Sequence, residues 1–274
     1  MSTSSPLAYR RFAFRRLGAM LLRYLYLLRS SWPRLAELIY WPLVQMLMWG
    51  FLQNYLNQQS GFLALAGGAL IGAILLWDIL TRAQLGFSVS FLEEMWSRNM
   101  GNLLISPLTT GEFLLALMAM SLLRLAVSVI PISLLAIWFF GFNLWGMGLA
   151  LGFFFANLLL TGWAVGIVVC GLILRNGMGA EGLAWTLMFL VMPICAVFYP
   201  VSVLPDFLKT LAWTLPPTYV FEGMRMVLIQ RVFPSQLMVE AIAINLAYMS
   251  VACFAFVKLV DGARRNGSLM AIGE

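Results

Sequence analysis

Two stretches of this chain, residues 38–77 and 125–174, contain no Asp, Glu, Lys or Arg. One helical crossing of a bilayer takes about 20 predominantly apolar residues, so each stretch is long enough for two. A soluble protein of 274 residues has no need of uncharged runs this long. Charged residues make up 10% of the chain, against about 25% in a soluble domain, and the mean hydropathy is +0.91. The expectation is an all-α integral membrane protein.

The segment between those stretches, residues 81–112, organises the rest. It reads TRAQLGFSVSFLEEMWSRNMGNLLISPLTTGE and gathers Arg82, Glu93, Glu94, Arg98 and Glu112. Charges this costly in hydrocarbon belong in water or against a protein partner. Phe87, Phe91, Met95 and Trp96 recur at helical spacing until residues 102–107 break the pattern. The spacing predicts a helix lying across the membrane surface and offered to a partner.

The net charge of +6 raises the question of nucleic acid, and the placement of the charges answers it. Seven of the 17 Lys and Arg precede residue 35, among leucines and aromatics. That is the signature of a membrane-surface helix, and no nucleic-acid partner is expected. In residues 7–33, Leu17, Leu21, Tyr24, Leu25 and Leu28 form a stripe, with Arg11, Arg15, Arg16, Arg23 and Arg29 largely off it. No cleavable leader is expected ahead of it.

Six crossings are expected, at 36–55, 62–80, 113–140, 144–174, 183–199 and 241–257, with a polar turn at 53–61. Counted by side, thirteen Lys and Arg then fall on one face and three on the other. The positive-inside rule puts the termini and residues 81–112 in the cytoplasm. Residues 200–234 would lie outside as two short amphipathic pieces broken at Pro216 and Pro217, each too short to cross and so interfacial or re-entrant. Domain organisation is therefore a cytoplasmic tail and interfacial helix at 1–35, a six-span region at 36–260 and a cytoplasmic tail at 261–274.

Polar groups inside the spans are candidates for structure or for a substrate path. Arg124 needs a partner, with Glu37 and Asp78 as candidates, and Asp78 has Arg82 one helical turn away. Tyr40, Trp41, Trp49, Phe198 and Tyr199 either line a path for an amphiphile or anchor the chain at the membrane interface. Gly162 and Gly166 allow close helix approach. His is absent and the three cysteines form no CxxC pair, so neither a metal site nor a catalytic residue is expected.

Two stretches carry a resemblance. Residues 102–116, NLLISPLTTGEFLLA, and 198–225, FYPVSVLPDFLKTLAWTLPPTYVFEGMR, resemble the membrane subunits of ATP-binding-cassette exporters of the second type. The resemblance implies a permease that moves an amphiphilic, lipid-linked or drug-like substrate outward, in a bacterial inner membrane with both termini cytoplasmic. It implies two ATPase subunits and a second permease, identical or related, as partners, besides membrane lipids. Residues 81–112 would then supply a coupling helix, with Glu93, Glu94, Met95, Trp96 and Arg98 at the ATPase contact. ATP and Mg belong to the partner, since the chain has no GxxxxGK[ST] loop and binds no cofactor of its own. Two competing readings are an ion-gradient-driven secondary transporter, which lacks a recognisable inverted repeat, and a membrane-embedded lipid enzyme, which lacks HExxH and GxSxG.

Overall fold

A computed structural model of the chain describes residues 6–59 and 68–266, and among these every regular element is helical. In chain order the α-helices are α1 Pro6–Arg29, α2 Trp32–Gln59, α3 Ala69–Trp96, α4 Met100–Ile105, α5 Thr110–Phe140, α6 Leu149–Asn176, α7 Leu183–Ile194, α8 Asp206–Ala212, α9 Pro216–Arg225 and α10 Ser235–Asn266. Five of them, α2, α3, α5, α6 and α10, are long and apolar enough to cross a membrane.

Local chemistry fixes several boundaries. At the start of α5 the Thr109 hydroxyl accepts from the Glu112 N–H while the Glu112 carboxylate accepts from the Thr109 N–H, a reciprocal cap that satisfies two otherwise orphan donors. Gly141, at φ 65°, ends the same helix in a conformation that costs glycine little. Pro216 opens α9, where its missing N–H has no intrahelical partner to lose.

The bundle is built around α3. It packs against α5 and α6, and α10 packs on α6. The most apolar window of α3 is 78% buried, against 22% for α2 and 17% for α10. Those two outer helices turn Tyr40, Trp41, Met48, Phe51, Val251 and Phe254 outward, as a bilayer or a second chain requires. Close approach of α3 and α6 depends on Gly162, where a Cβ would stand 2.7 Å from Ala83 Cβ and 2.9 Å from the Leu80 carbonyl. Between α6 and α10, Thr161 donates to Asn245 at 2.7 Å and Asn245 donates to Asn157 Oδ1 at 3.0 Å. Such interhelical hydrogen bonds hold a bundle together in lipid, which gives no hydrophobic drive to helix association.

Three expectations change. The 87–96 pattern is the last part of α3, because nothing between Thr81 and Trp96 breaks the helix. Its aromatics Phe87 and Phe91 are core residues, and the separate helix is the short α4. Gln53, expected in a turn, lies within α2 and is buried, its Oε1 accepting from the Ile71 N–H at 3.2 Å. Residues 60–67, including Gly67 and the start of the expected second crossing, lie outside the described residues. In the expected fifth crossing the helix covers only the 12 residues of α7, ending just past Pro193, so α7 spans about 18 Å of a hydrocarbon layer about 30 Å thick.

Candidate functional site

Ion pairs between helices concentrate at one end of the bundle, where α3 finishes. Glu94, fully buried, receives both guanidinium nitrogens of Arg23 at 2.7 and 2.9 Å and the Asn99 amide at 2.7 Å. The neighbouring Glu93 accepts from Arg124 of α5 at 2.8 Å and from Arg34 of α2 at 3.2 Å. Glu112 of α5 receives Arg16 of α1 through both carboxylate oxygens. Trp96 reaches across to Glu181, just before α7, with its indole N–H 3.0 Å from the carboxylate. Four elements are thus bolted to the end of α3 or the start of α5.

The fork geometry of Arg23 on Glu94 is the strong form of this bond, because two parallel donors fix both distance and orientation. Tyr24, fully buried beside the pair, has its phenol pushed up by burial and then by the Glu94 carboxylate, so it stays a neutral O–H. The inward face of α1 is Met20, Tyr24 and Leu28, while Arg15 and Arg29 remain exposed. Arg16 and Arg23 therefore read carboxylates of their own chain.

Beyond these anchors the chain turns back on itself in an exposed tip. Trp96, Arg98, Asn102, Ile105 and Pro107 face outward there, Ile105 with 85% of its surface open. Arg98 takes a left-handed backbone, φ 54°, which lets α3 stop and α4 begin within three residues. The tip is short, and the buried charges at its base tie it to α1, α2 and α5, with Trp96 reaching the residues just before α7.

Between these helices lies a cavity of about 220 Å³. Arg34, Glu37, Arg82, Glu93 and Arg124 supply its polar wall, and Trp96 and Trp185 flank it. Arg82 is neutralised by the buried Asp78 at 3.2 Å, and the Ser128 hydroxyl lies 3.4 Å from the other Asp78 oxygen.

The opposite end is built differently. Arg225 donates to the carbonyls of Ala196 and Val197 at 3.0 and 3.3 Å, and it pairs with Glu222 three residues earlier at 3.0 Å. Glu222 in turn accepts from the Val201 N–H at 2.6 Å. Trp49 stacks on Phe198 with ring centroids 3.9 Å apart, and the Tyr199 hydroxyl donates to the Pro193 carbonyl at 2.6 Å.

The residues singled out from sequence therefore separate into groups. Glu93, Glu37 and Arg124 share the cavity, and Asp78 sits behind it on Arg82. Trp49 and Phe198 meet at the opposite end, while Tyr40 and Trp41 face outward against each other. Of the five residues assigned to a partner contact, Trp96 and Arg98 are exposed; Glu93, Glu94 and Met95 are engaged within the chain. The expected partners of Arg124, Glu37 and Asp78, are replaced by Glu93, because the long guanidinium stem reaches along α5 toward the charged end. The pairs of Arg16, Arg23 and Arg34 were not foreseen. Nothing in the sequence selects these three among the seven arginines that precede residue 35.

The model of the ABC-2 type transporter family matches residues 24–229, from the second half of α1 to just short of α10. No curated protein matches the chain.

Proposed function

This chain belongs to the ABC-2 type transporter family and is a multi-pass membrane protein, and from that premise we propose that it is the permease of an ATP-driven exporter. The reading rests on the exposed tip at residues 96–107, held by Glu93, Glu94 and Glu112 on arginines of three other helices. The family implies association with an ATP-binding-cassette ATPase, which in this reading is a separate chain. The tip is the coupling element: Trp96, Arg98, Ile105 and Pro107 dock into the ATPase, and Glu93, Glu94 and Met95 hold the base. Aromatic and arginine anchors surrounded by apolar surface are the usual residues of such a contact. Mg and ATP act on the partner, and this chain supplies the moving wall.

The charged end is cytoplasmic, in keeping with its surplus of arginine. The stretch from Glu181 to Tyr199, fifth in chain order, brings the crossings to six despite the brevity of α7. Glu181 touches Trp96 at the charged end, and Phe198 stacks on Trp49, which lies about 22 Å along α2 from Arg34. Six crossings put both termini in the cytoplasm of a bacterial inner membrane. Two ATPases and a second permease, identical or related, complete the assembly, with the exposed faces of α2 and α10 available to the second permease. The cargo is amphiphilic, lipid-linked or drug-like, and it leaves from the inner leaflet.

Isolation of the chain with its native neighbours from the membrane tests this. A stoichiometric ATPase should co-purify, and Ile105→Cys should crosslink to it in an ATP-dependent manner. Transport that survives ATP depletion, in a particle with no hydrolysing companion, would overturn the reading.

A further inference from the structure

Resting on the permease reading, we infer that the cavity between α2, α3, α5 and α7 is a recognition site for a phosphate group, carried on an amphiphile or free. The cavity is smaller than the roughly 300–1,000 Å³ typical of a site that swallows a whole drug-sized ligand. It has room for a headgroup while the remainder of a molecule stays outside. Two arginines on its wall, Arg34 half-exposed and Arg124 buried, meet at one carboxylate, Glu93, at 3.2 and 2.8 Å, so two guanidinium groups share one negative charge.

Arg82 offers no relief, because it is already matched by Asp78. Glu37 and Arg34 are both exposed, so solvent screens each of them, and the buried group that remains to be satisfied is Arg124. Arg124 adds the second observation. Its side chain is only 7% exposed, yet its Nε–H has no acceptor among the described residues. A buried guanidinium with an idle donor, in a cavity lined by two further arginines, lacks an acceptor of the kind a phosphate oxygen provides. Planar forked donors bind phosphate in two-point geometry, which a lysine ammonium cannot reproduce. The sharing of Glu93 also supplies a response. A phosphate that takes Arg34 or Arg124 removes one of the two cations from the Glu93 carboxylate at the base of the tip, so occupancy of the cavity is felt at the coupling element.

The probes are dihexanoyl phosphatidic acid, dihexanoyl phosphatidylcholine and inorganic phosphate, each titrated by calorimetry into the purified full chain in a neutral detergent. Fluorescence of Trp96 and Trp185 reports occupancy, and Trp185→Phe should reduce the signal without abolishing binding. Phosphatidic acid should bind saturably and phosphatidylcholine should not. Competition by inorganic phosphate would identify the free anion as sufficient, and its failure would assign the site to a lipid-borne group. Arg124→Lys keeps the charge but loses the fork, and should weaken binding by about tenfold or more. Val89→Trp fills the cavity with every charge in place and should abolish binding, whereas Arg29→Gln, exposed at the same end, should leave it unchanged. Equal binding of phosphatidylcholine, or unchanged affinity in both Arg124→Lys and Val89→Trp, overturns the inference. No ATPase enters this experiment, so its failure leaves the permease reading standing.

Discussion

The two ends of the bundle use the same residue types to opposite effect. At the charged end, glutamates bind arginines far away in sequence and on other helices: Glu112 with Arg16, Glu94 with Arg23, Glu93 with Arg34 and Arg124. At the opposite end the pairs are local, Asp206 with Lys209 and Glu222 with Arg225, each within one turn. The long-range polar links there run to backbone groups, from Arg225 to two carbonyls and from the Val201 N–H to Glu222. Long-range pairs couple elements that can move relative to one another, whereas local pairs and backbone caps fix the shape of one segment. On the permease reading proposed above, the charged end is the one suited to transmit displacement, and the opposite end the one suited to keep its form.

Reversing Glu94 should break this contrast most severely. Glu94→Lys buries an ammonium against Arg23 with no carboxylate left for either, and disrupting a buried pair costs about 3 kcal/mol or more. The expected result is a large fall in the thermal midpoint of the detergent-purified protein. Exchanging the charges, with Arg23→Glu and Glu94→Arg together, should recover a substantial part of it. Failure of that exchange would mean that Glu94 matters for its hydrogen bond from Asn99 rather than for its link to α1.

At the opposite end, Arg225→Gln leaves the carbonyls of Ala196 and Val197 without their donor, at about 1–3 kcal/mol. Ala196 is fully buried with φ at 51°, so the turn it occupies has few other ways to be held. Stability should drop while crosslinking of the tip to an ATPase is retained. Arg34→Ala should give the reverse pattern. Arg34 is 47% exposed and Glu93 keeps Arg124, so at most about 1 kcal/mol of stability is lost. Nucleotide-stimulated transport should nevertheless fall, because α2 is released from the base of the tip. If the two variants behave alike in both assays, the ends do not differ in the way described.

Much of this arrangement was legible in the sequence, and the parts that were not share a physical cause. Crossings of 20 or more residues announce themselves by length, and Pro216 marks the break between the two short helices as its chemistry demands. The end of α3 departs from the sequence expectation because Phe87, Phe91 and Met95 look alike whether their helix lies on a membrane or continues into a bundle. Periodicity reports which face is apolar and is silent on what covers it. Arginine pairing failed for a related reason. Asp78 with Arg82, and Glu222 with Arg225, follow from spacing along one helix, whereas Arg124 with Glu93 depends on how two helices cross and how far a long side chain reaches.

The smallest effect is expected at Lys209, which separates a pair that is merely close from one that carries structure. Asp206 is fully exposed in the first turn of α8, and Lys209 lies 2.8 Å away on the next turn. The lysine ammonium, by hydrogen bond and then by charge, holds the Asp206 carboxyl below the usual carboxylate range. A carboxylate so lowered contributes stability above its unfolded pKa and loses it as pH falls through its folded one. Water screens that contribution here, and Asp206 keeps its favourable place at the start of a helix whether or not the lysine is present. Lys209→Gln should therefore leave the thermal midpoint unchanged at neutral pH and leave its acid dependence superimposable on that of the parent. A shift as large as that of Arg225→Gln would mean that the opposite end also relies on charge pairing, and the division of labour between the two ends would have to be abandoned.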